Sequence, residues 1–599
     1  MNRKILYAVG DRLLRYVYKN PRRNLVKLVK VGKLVASKMF PPSTFTKPIE
    51  IIEDEDNVWH QFLFRGLDEV DPALFRRIAL TFAIDLGYFG TKALRANREK
   101  EHCNIPWVVL MDPTSACNRH CKGCWAAEYG HKSNLTLDEM RRIVRECKAL
   151  GTHFFMYTGG EPLIRKADII TVAKENPDCL FLTFTNGTLV DDAFCEDMKA
   201  CGNLALALSV EGSEETTDAR RGAGSYRDTM AAMALLKKHG CLFGVSVCYT
   251  SQNCEAVTSD AFYDTLIEAG ARYAWYFHYM PVGSDADQNL LLSPEQREHV
   301  YRTIREKRDG KNGKPIFTVD FQNDAEFVGG CIAGGRNYFH INSEGDAEPC
   351  VFIHYSDSNI RQKSIKECLQ SPLFYEYYKG QPFNNNMLRP CPMLENPAAL
   401  RRIVSQTGAK STNFLAPESA EALCAKCDAY AAAWAPTAKR IWEEKSRFRP
   451  FTQYYRDTPE GKTDGEVQKL QNLPLSYFDR HPHGELMSRF TNDADNVQLA
   501  LEQSVVSMLS SCFTFVGLVV MMLIINWKLF VVTALVLALT MTLFKRLGGR
   551  SRRFYQQQQA ALGKVNGSIQ ETIEGLKVVK AFTHEEQAKA DFQKLNQAY

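Results

Sequence analysis

The chain has 599 residues, about four times the size of a typical domain, so the sequence predicts several domains. It carries 74 Lys and Arg against 69 Asp and Glu, a net charge of +5, and 45% of its residues are hydrophobic. These values exclude a uniformly basic nucleic-acid-binding protein, a wholly disordered chain and a protein built only from membrane helices. Of the 18 cysteines, 17 lie between Cys103 and Cys427. This distribution indicates that a cysteine-rich part is joined to a part of different character.

Residues 1–100 are predicted to form a basic helical region. Residues 1–50 hold twelve basic and two acidic side chains, a net charge of +10. Basic residues alternate with Leu, Val, Tyr and Phe, which is typical of a helix at a membrane surface. A helix that packs on the main domain and exposes a solvated basic face has the same pattern, so both interpretations stay open. The amino terminus has no apolar core followed by a cleavage site, so no secretory signal is predicted, and the cysteine-rich part is expected in a reducing cytoplasm.

Residues 101–321 alternate short apolar runs with helical periods. Strands are predicted at residues 107–111, 153–157, 180–185, 204–210, 243–249 and 274–279. Two of the intervening helices have clear starts, a capping box at Thr136 and a second cap at Ser293. Six strand–helix units predict an α/β fold with a parallel sheet, arranged as a partial (β/α)6 barrel similar to a TIM barrel. Functional residues are then expected at the carboxyl ends of the strands.

Three cysteines directly follow the first predicted strand: Cys117, Cys121 and Cys124, spaced C-x3-C-x2-C. Three thiolates on one loop can bind three irons of a 4Fe-4S cluster and leave the fourth iron open to a substrate or cofactor. The alternative is a structural zinc site, but such sites are closed by a fourth local Cys or His. His120 lies between two of the cysteines, where simultaneous ligation is awkward. The spacing therefore favours an iron-sulfur cluster.

Further motifs follow the next three predicted strands: Gly-Gly-Glu-Pro at residues 159–162, Thr-Asn-Gly-Thr at residues 185–188 and Ser-Val-Glu-Gly at residues 209–212. Together with the cysteine triad, they make residues 105–320 resemble the radical S-adenosylmethionine (SAM) superfamily. The resemblance implies that SAM binds the open iron and that a donor such as flavodoxin or ferredoxin reduces the cluster. SAM would then be cleaved to a 5′-deoxyadenosyl radical, which abstracts hydrogen from the substrate.

The same resemblance implies a set of site residues. Gly159 and Gly160 would let the backbone approach the SAM amino group, with Glu161 and Pro162 shaping that loop. By position alone, three polar residues after the third and fourth strands are further expected contacts of SAM: Asn186, Ser209 and Glu211. Two residues at the end of the sixth strand are the candidate catalytic residues for proton transfer: His278 and Tyr279.

Residues 322–446 are rich in Gly, Asn and Pro and have cysteines at intervals, as in small metal-organised domains. The pattern Cys331-x13-Gly345-x4-Cys350 resembles the opening of the SPASM or twitch extensions of peptide-modifying radical SAM enzymes, which hold auxiliary clusters. The full SPASM cysteine series is missing, so one auxiliary 4Fe-4S cluster is expected. Its candidate ligands are Cys331, Cys350, Cys391 and either Cys424 or Cys427. A closed zinc site on the same residues stays open as the alternative.

A polar linker over residues 447–467 precedes a last segment, residues 468–599. Residues 503–527 and 529–544 carry no charge, which predicts a transmembrane hairpin. The basic cluster that follows favours a cytoplasmic end after the second helix. Residues 473–493 and 562–582 make the segment resemble the membrane domain of ATP-binding-cassette (ABC) exporters. No phosphate-binding loop G-x4-G-K-[ST] follows, so an exporter partner chain that supplies ATP-binding domains is expected if the segment transports.

The sequence therefore predicts a radical SAM enzyme with an auxiliary iron-sulfur domain. A peptide or protein is the preferred substrate, and a truncated exporter segment is expected to tether the chain to the membrane with the enzymatic domain in the cytoplasm. The rival interpretation is an ABC-type transporter subunit with an accessory iron-sulfur domain. It is weaker because the enzyme motifs are complete and the transporter motifs are not. Fusion with a fragment of a neighbouring gene is the other explanation of the last segment.

Overall fold

A computed structural model of the chain describes residues 3–36, 49–130, 132–283 and 286–446. The predicted linker, the transmembrane hairpin and the rest of the exporter-like segment lie outside these residues. Within the described part, none of the helices combines the length and the apolarity that crossing a bilayer requires.

The central element is a nine-stranded sheet. Its strands are β1 (Val108–Met111), β2 (Phe154–Tyr157), β3 (Leu180–Thr185), β4 (Leu204–Ser209), β5 (Phe243–Tyr249), β6 (Tyr273–His278), β7 (Phe317–Asp320), β8 (Tyr338–Ile341) and β9 (Ala347–Glu348). They are arranged in the order β7-β6-β5-β4-β3-β2-β1-β8-β9. All neighbours are parallel except β8 and β9, which pair antiparallel. The predicted parallel sheet of an α/β fold is confirmed, and three further strands, β7, β8 and β9, extend it beyond the six predicted strands.

Helices cover one face of the sheet, which explains its apolar strands. These helices are Leu137–Leu150, Lys166–Glu175, Asp192–Cys201, Glu214–Arg221, Ser225–Lys238, Cys254–Thr258, Asp260–Ala269 and Pro294–Lys307. Side chains alternate along each strand, so Val109 and Met111 of β1 pack in the core under the helices while Leu110 packs in the core on the opposite face. The capping boxes predicted at Thr136 and Ser293 are both present. The helices therefore leave the second face of the sheet for other contacts.

The amino-terminal region is helical where it is described. Its helices are Arg3–Lys19, Pro21–Ala36, Val58–Glu69, Pro72–Leu80 and Thr91–Glu101, with a π-helical stretch at Thr81–Gly90. An inner cluster of Val17, Phe64 and Leu67 joins the first of these helices to the third.

The region after β7 contributes to both faces of the sheet. Ile365, Cys368 and Leu369 belong to the core under the covering helices, whereas the later elements, which include Leu400, Ile403 and Trp434, pack in the core on the second face. Beyond β8 and β9 the region contains the antiparallel pair β10 (Tyr355–Ser356) and β11 (Lys410–Ser411), and the helices Ala325–Val328, Ile365–Leu369, Pro372–Gly380, Pro397–Thr407 and Ala420–Ser446. Because β8 pairs with β1, this region shares one sheet with the preceding one. The loop after β1 and the loop after β9 are thereby brought close together.

Candidate active site

A cavity of about 550 Å³ lies at the carboxyl ends of the parallel strands. Its wall includes the three cysteines that follow β1: Cys117, Cys121 and Cys124. The wall also includes three cysteines of the later region: Cys331, Cys350 and Cys391. Residues far apart in the sequence therefore bring two groups of thiols to a single space, at the edge of the sheet where a parallel α/β protein places its functional residues.

The spacing of the cysteine triad suits a cluster better than a single metal ion. Among the described residues, one group of three metal-ligating side chains has all its ligand atoms within 4.8 Å of one another: His153, Asp178 and Cys179. The triad sulfurs are thus more widely spaced than a tetrahedral site with Zn–S bonds of about 2.3 Å requires. Burial raises the pKa of the Cys117 thiol to about 11, so bound iron would have to supply the positive charge that keeps it a thiolate. The donor set fits a 4Fe-4S cluster.

The Gly-Gly-Glu-Pro loop after β2 packs directly on the backbone that leads into the cysteine triad. The amide of Gly160 donates to Thr114 O at 3.0 Å, and the amide of Glu161 donates to Ala116 O at 2.7 Å. A side chain on Gly160 would lie 2.1 Å from Ala116 O, and one on Gly159, where φ is +102°, would lie 2.6 Å from Thr114 O. The sequence assigns these glycines to the approach of SAM, whereas their contacts in the structure join the two loops.

Glu161 ties this loop to the end of β3. Its carboxylate is 1% exposed and accepts hydrogen bonds from Thr185 Oγ1 at 2.7 Å and from the Asn186 amide at 2.8 Å. Burial raises the pKa of the carboxyl group despite these bonds. Pro162 then begins the 3-10 helix Pro162–Arg165, whose Leu163 amide also donates to Glu161. Glu161 therefore positions backbone on both sides of the cavity.

Asn186 and Ser209, two of the predicted SAM contacts, lie in the cavity wall. Asn186 Nδ2 donates to Asn118 Oδ1 at 2.7 Å, and Asn118 belongs to the loop that carries the cysteine triad. Ser209 is the last residue of β4. The motif after β3 is therefore fastened to the cysteine loop by side-chain hydrogen bonds.

Glu211 is fully buried and acts on the cavity through two arginines. Its Oε1 accepts from Arg220 Nη1 at 2.8 Å and pairs with Arg221 Nη2 at 2.6 Å. Both arginines line the cavity, whereas Glu211 itself does not form part of its lining. Arg221 Nη1 lies 4.0 Å from Cys121 Sγ. Sequence alone places these arginines in a polar loop where solvation is the ordinary expectation, and the salt bridges to Glu211 are what identify them as part of the site.

His278 and Tyr279 both line the cavity, but their hydrogen bonds differ. His278 Nδ1 donates to Tyr279 O at 2.6 Å, and Nε2 accepts from Tyr430 OH at 2.8 Å. Burial lowers the pKa of His278 to about 3, so the ring is neutral and both nitrogens are engaged within the protein. This arrangement differs from the predicted proton transfer, because it leaves His278 to orient its neighbours.

The Tyr279 phenol lies beside the cysteine loop. Its hydroxyl is buried, and the backbone of Asp287 is close enough to lower its pKa slightly. Its ring packs over Gly123 of the cysteine loop, where a Cβ would lie 2.6 Å from the Tyr279 ring. Burial raises the pKa of the phenol to about 12, so it is protonated at neutral pH. Tyr279 can therefore donate a proton or a hydrogen bond beside the cysteine triad.

The later cysteines divide into two sets. Cys331, Cys350 and Cys391 face the cavity, and Cys391 Sγ accepts bonds from the amides of residues 393 and 394 at 3.4 Å each. Amide donors of this kind stabilise a thiolate ligand. Cys424 and Cys427 are fully buried on the helix Ala420–Ser446 and are not among the lining residues. Both pack in the hydrophobic cluster that also contains Cys350 and that Cys391 packs against.

A buried group of ionisable side chains joins the loop after β1 to the loop after β9, and no sequence motif predicts it. His340 on β8 lies between Asp112 Oδ1 at 2.9 Å and Glu348 Oε2 at 2.6 Å, and all three side chains are at most 1% exposed. Asp112 follows β1 directly, and Glu348 precedes Cys350 by two residues. Burial lowers the pKa of His340, but the two carboxylates outweigh this effect and raise it to about 10. Glu348 is the firm anion of the group, because its pKa is lowered by the hydrogen bond from His340 despite burial, whereas burial raises the pKa of Asp112. His340 is therefore a buried cation paired chiefly with Glu348.

Comparisons with known proteins agree with two of the predicted parts. The family model described as Radical SAM superfamily matches residues 111–253, and the model described as ABC transporter transmembrane region matches residues 467–599. An AdoMet-dependent heme synthase of Methanosarcina barkeri is 27% identical over 292 residues, which are 44% of this chain and 82% of that protein. The uncharacterized ABC transporter ATP-binding protein YfiC of Bacillus subtilis is 40% identical over 129 residues, which are 22% of this chain and 21% of that protein.

Among solved structures, the crystal structure of Streptococcus suis SuiB bound to precursor peptide SuiA superposes with a TM-score of 0.42 at 17% identity, covering 50% of this chain and 74% of that chain. The chain spans about a fifth of the length of the curated ABC transporter relatives that it matches. The ABC transporter match supports an association with the membrane. The chain thus carries an enzyme domain of the radical SAM superfamily over residues 111–253 and an ABC transporter transmembrane region over residues 467–599.

Proposed function

We propose that this chain reductively cleaves SAM at a 4Fe-4S cluster held by Cys117, Cys121 and Cys124, and modifies a substrate bound in the adjoining cavity. The observation that carries the proposal is that one cavity is lined by this triad, by the Gly-Gly-Glu-Pro loop and by the later cysteines. Bound there, the cluster and SAM supply one-electron chemistry that ends in removal of hydrogen from the substrate. The protein supplies orientation, charge and exclusion of water.

The charges of the wall suit a negatively charged cluster and the carboxylate of SAM. Arg220 and Arg221 are held toward the cysteine triad by Glu211, which is 0% exposed. Charged hydrogen bonds in a buried site are stronger than in water. Together with Glu211 the two arginines leave one positive charge beside the triad, which partly offsets the charge of the thiolates. Arg221 is the candidate partner for the SAM carboxylate.

Tyr279 is the proposed proton donor of the site. Its phenol is buried, and its raised pKa of about 12 keeps it protonated at neutral pH. His278 supports it through the bond from Nδ1 to the Tyr279 carbonyl. In this proposal Tyr279 contacts the substrate, and His278 positions the backbone of Tyr279.

A second cluster is proposed on the opposite wall, with Cys331, Cys350 and Cys391 as ligands. The amide bonds to Cys391 Sγ and the hydrogen bond from Tyr338 OH to Cys350 Sγ at 2.7 Å support this assignment. The proposed fourth ligand is Cys424 or Cys427, since both are buried in the hydrophobic cluster that also contains Cys350 and that Cys391 packs against. Separate Cys424→Ala and Cys427→Ala variants distinguish them by iron content.

Two substrate classes have separate support. A peptide or protein is favoured by the SPASM-like arrangement of the later cysteines. A tetrapyrrole is favoured by the heme synthase relatives, one of which is matched over 82% of its length. The cavity wall is rich in aromatic side chains that suit a planar ring or an aromatic peptide side chain: Trp125, Trp275, Phe277, Phe321, Tyr338 and Phe352. Incubation of the reduced enzyme and SAM with an iron porphyrin or with candidate precursor peptides, followed by mass spectrometry, distinguishes the two classes.

The experiment that tests the site is electron paramagnetic resonance of the anaerobically reconstituted, reduced chain. Addition of SAM is expected to change the signal of the cluster, because SAM binds its open iron. The Cys121→Ala variant should lose that response, while Cys201→Ala, which removes a buried cysteine from the helix Asp192–Cys201, should retain it. A response that survives Cys121→Ala would contradict the assignment.

The carboxyl-terminal match supports a role as a membrane tether. Residues 467–599 match the transmembrane region of ABC transporters, and a partner chain with ATP-binding domains is proposed to complete any transport unit. Co-purification of such a chain from membranes of the native host tests this part. The enzymatic domain is proposed to lie on the cytoplasmic side.

A further inference from the structure

We propose that the solvent-facing side of the first helix binds the surface of a bilayer that contains anionic lipids. The helix Arg3–Lys19 exposes four large apolar side chains: Ile5 (60% exposed), Val9 (52%), Leu13 (44%) and Tyr16 (38%). Their spacing of four, four and three residues places them in one stripe along the helix. We call these four residues the amino-terminal stripe.

The opposite face of this helix is already occupied. Val17 is 2% exposed and packs with Phe64 and Leu67. A Cβ on Gly10 would lie 2.5 Å from Leu80 Cδ2, so the helix approaches its neighbour closely at that point. Tyr7 donates a hydrogen bond to Asp85 on the same inner side. The helix therefore cannot rotate to bury the amino-terminal stripe without losing this packing.

The charge around the stripe identifies its partner. Residues 3–36 contain ten Lys and Arg and one acidic residue, Asp11. Asp11 is neutralised by Arg15 at 2.6 Å and by Arg76 at 3.1 Å. Exposed basic residues accompany the stripe on this helix and on the helix Pro21–Ala36: Lys4, Arg12, Lys19, Arg23 and Lys27. An exposed apolar stripe with basic neighbours is the pattern of a helix that lies in the interface of an anionic membrane.

A second copy of this chain fits the same surface less well. Two such faces would bring clusters of like charge together, which opposes association. An anionic bilayer satisfies both features at once, because the apolar side chains enter the acyl boundary and the basic groups meet phosphates. The match of residues 467–599 to a transmembrane region independently points to a membrane next to this chain.

The position of the helix also fixes how the enzyme would face the membrane. Arg3 Nη2 lies 2.6 Å from Asp85 Oδ1 and 3.6 Å from Asp178 Oδ2. Asp178 precedes β3 by two residues and so marks the amino-terminal end of the strands. The cavity lies at their carboxyl ends. A bilayer bound to the amino-terminal stripe would therefore lie on the side of the sheet away from the cavity, which leaves the cavity accessible from the aqueous phase.

The test uses the full chain in vesicles and a local probe, since the carboxyl-terminal segment by itself is expected to hold the chain in the membrane. An environment-sensitive fluorescent amino acid replaces Leu13 in one protein and Tyr375 in the control. Tyr375 is a 47% exposed residue of the helix Pro372–Gly380. In vesicles of phosphatidylcholine with phosphatidylglycerol, the probe at position 13 is expected to shift its emission to the blue and to lose intensity to brominated lipids. The probe at position 375 should do neither.

A charge variant separates lipid attraction from simple burial. Replacing Lys4, Arg12 and Lys19 by Gln is expected to weaken the surface binding roughly fivefold per charge, so more phosphatidylglycerol is needed for half of the shift. Unchanged iron content shows that this variant is folded. Equal signals at positions 13 and 375, or equal shifts with and without phosphatidylglycerol, would overturn the proposal.

Discussion

His340 is expected to contribute more to stability than any surface ion pair of the chain, because it is a buried cation between Asp112 and Glu348. Replacing it by Gln removes the charge and leaves Glu348, its chief partner, buried without a cation. Loss of one member of a buried ion pair typically costs about 3–5 kcal/mol. The pKa of His340 gives a second measure, because it is raised from an ordinary value of about 6.5 to about 10. At pH 7 that shift corresponds to about 4 kcal/mol of folding free energy.

The sign of the pH dependence follows from the raised pKa. Stability from His340 is fully present below pH 6.5 and is lost as the pH rises through about 10, where the folded-state imidazolium loses its proton. The wild type should therefore be more stable than His340→Gln by about 4 kcal/mol at pH 7, and this difference should shrink steadily toward pH 10. For a folded unit of more than 400 residues, such as the described part of this chain, a loss of about 4 kcal/mol corresponds to a fall in Tm of roughly 4 °C.

Thermal unfolding followed by circular dichroism at pH 6, 7, 8, 9 and 10 tests this reasoning. His354→Gln is the matched control, since His354 is also buried but is hydrogen-bonded to Asn413 and to the Val351 carbonyl. The control should lose only the stability of its two hydrogen bonds, about 0.5–1.5 kcal/mol each. A gap between wild type and His340→Gln that is the same at pH 7 and pH 10 would refute the buried-cation assignment.

Three further predictions concern the cavity. Gly160→Ala should lower the iron content of the cysteine triad and destabilise the fold by about 1–3 kcal/mol, because the new Cβ would lie 2.1 Å from Ala116 O. Iron analysis of the variant checks this prediction, and full iron content would contradict it. Tyr279→Phe should preserve cleavage of SAM but reduce turnover of the substrate about 10²-fold or more, as measured by mass spectrometry of both products, whereas His278→Gln should have a smaller effect on the same ratio. Arg221→Gln should weaken SAM binding and lower the reduction potential of the cluster, because a positive charge near Cys121 is removed; an unchanged potential in redox titration would show that the arginine does not influence the cluster.

The sequence predicts the six central strands because each one is a short apolar run between helical periods. The strands at residues 180–185 and 243–249 form at the predicted residues, and the others differ by one or two residues at their ends. It does not predict β8, because Tyr338–Ile341 joins the sheet through pairing with β1, more than 200 residues away. Local patterns carry no information about such a partner.

The candidate site likewise combines local motifs that the sequence shows with long-range contacts that it does not. Cysteine spacing and the Gly-Gly-Glu-Pro motif are local patterns that the sequence shows directly, and residues of both lie in the cavity wall. The bond from Glu211 to Arg221 and the bridge through His340 depend on tertiary contacts. His278 illustrates the limit best, because its place at a strand end suggests catalysis, while burial and the hydroxyl of Tyr430 hold it neutral and engaged.

The central claim is that Cys117, Cys121 and Cys124 hold a cluster that cleaves SAM. The most direct test is the amount of 5′-deoxyadenosine formed from SAM by the anaerobically reconstituted, dithionite-reduced full chain. The wild type and the Cys201→Ala control should both form it, and Cys121→Ala should form none above the rate without protein. Equal 5′-deoxyadenosine formation by the wild type and Cys121→Ala, or none by a wild type that contains about four irons or more per chain, would contradict the account.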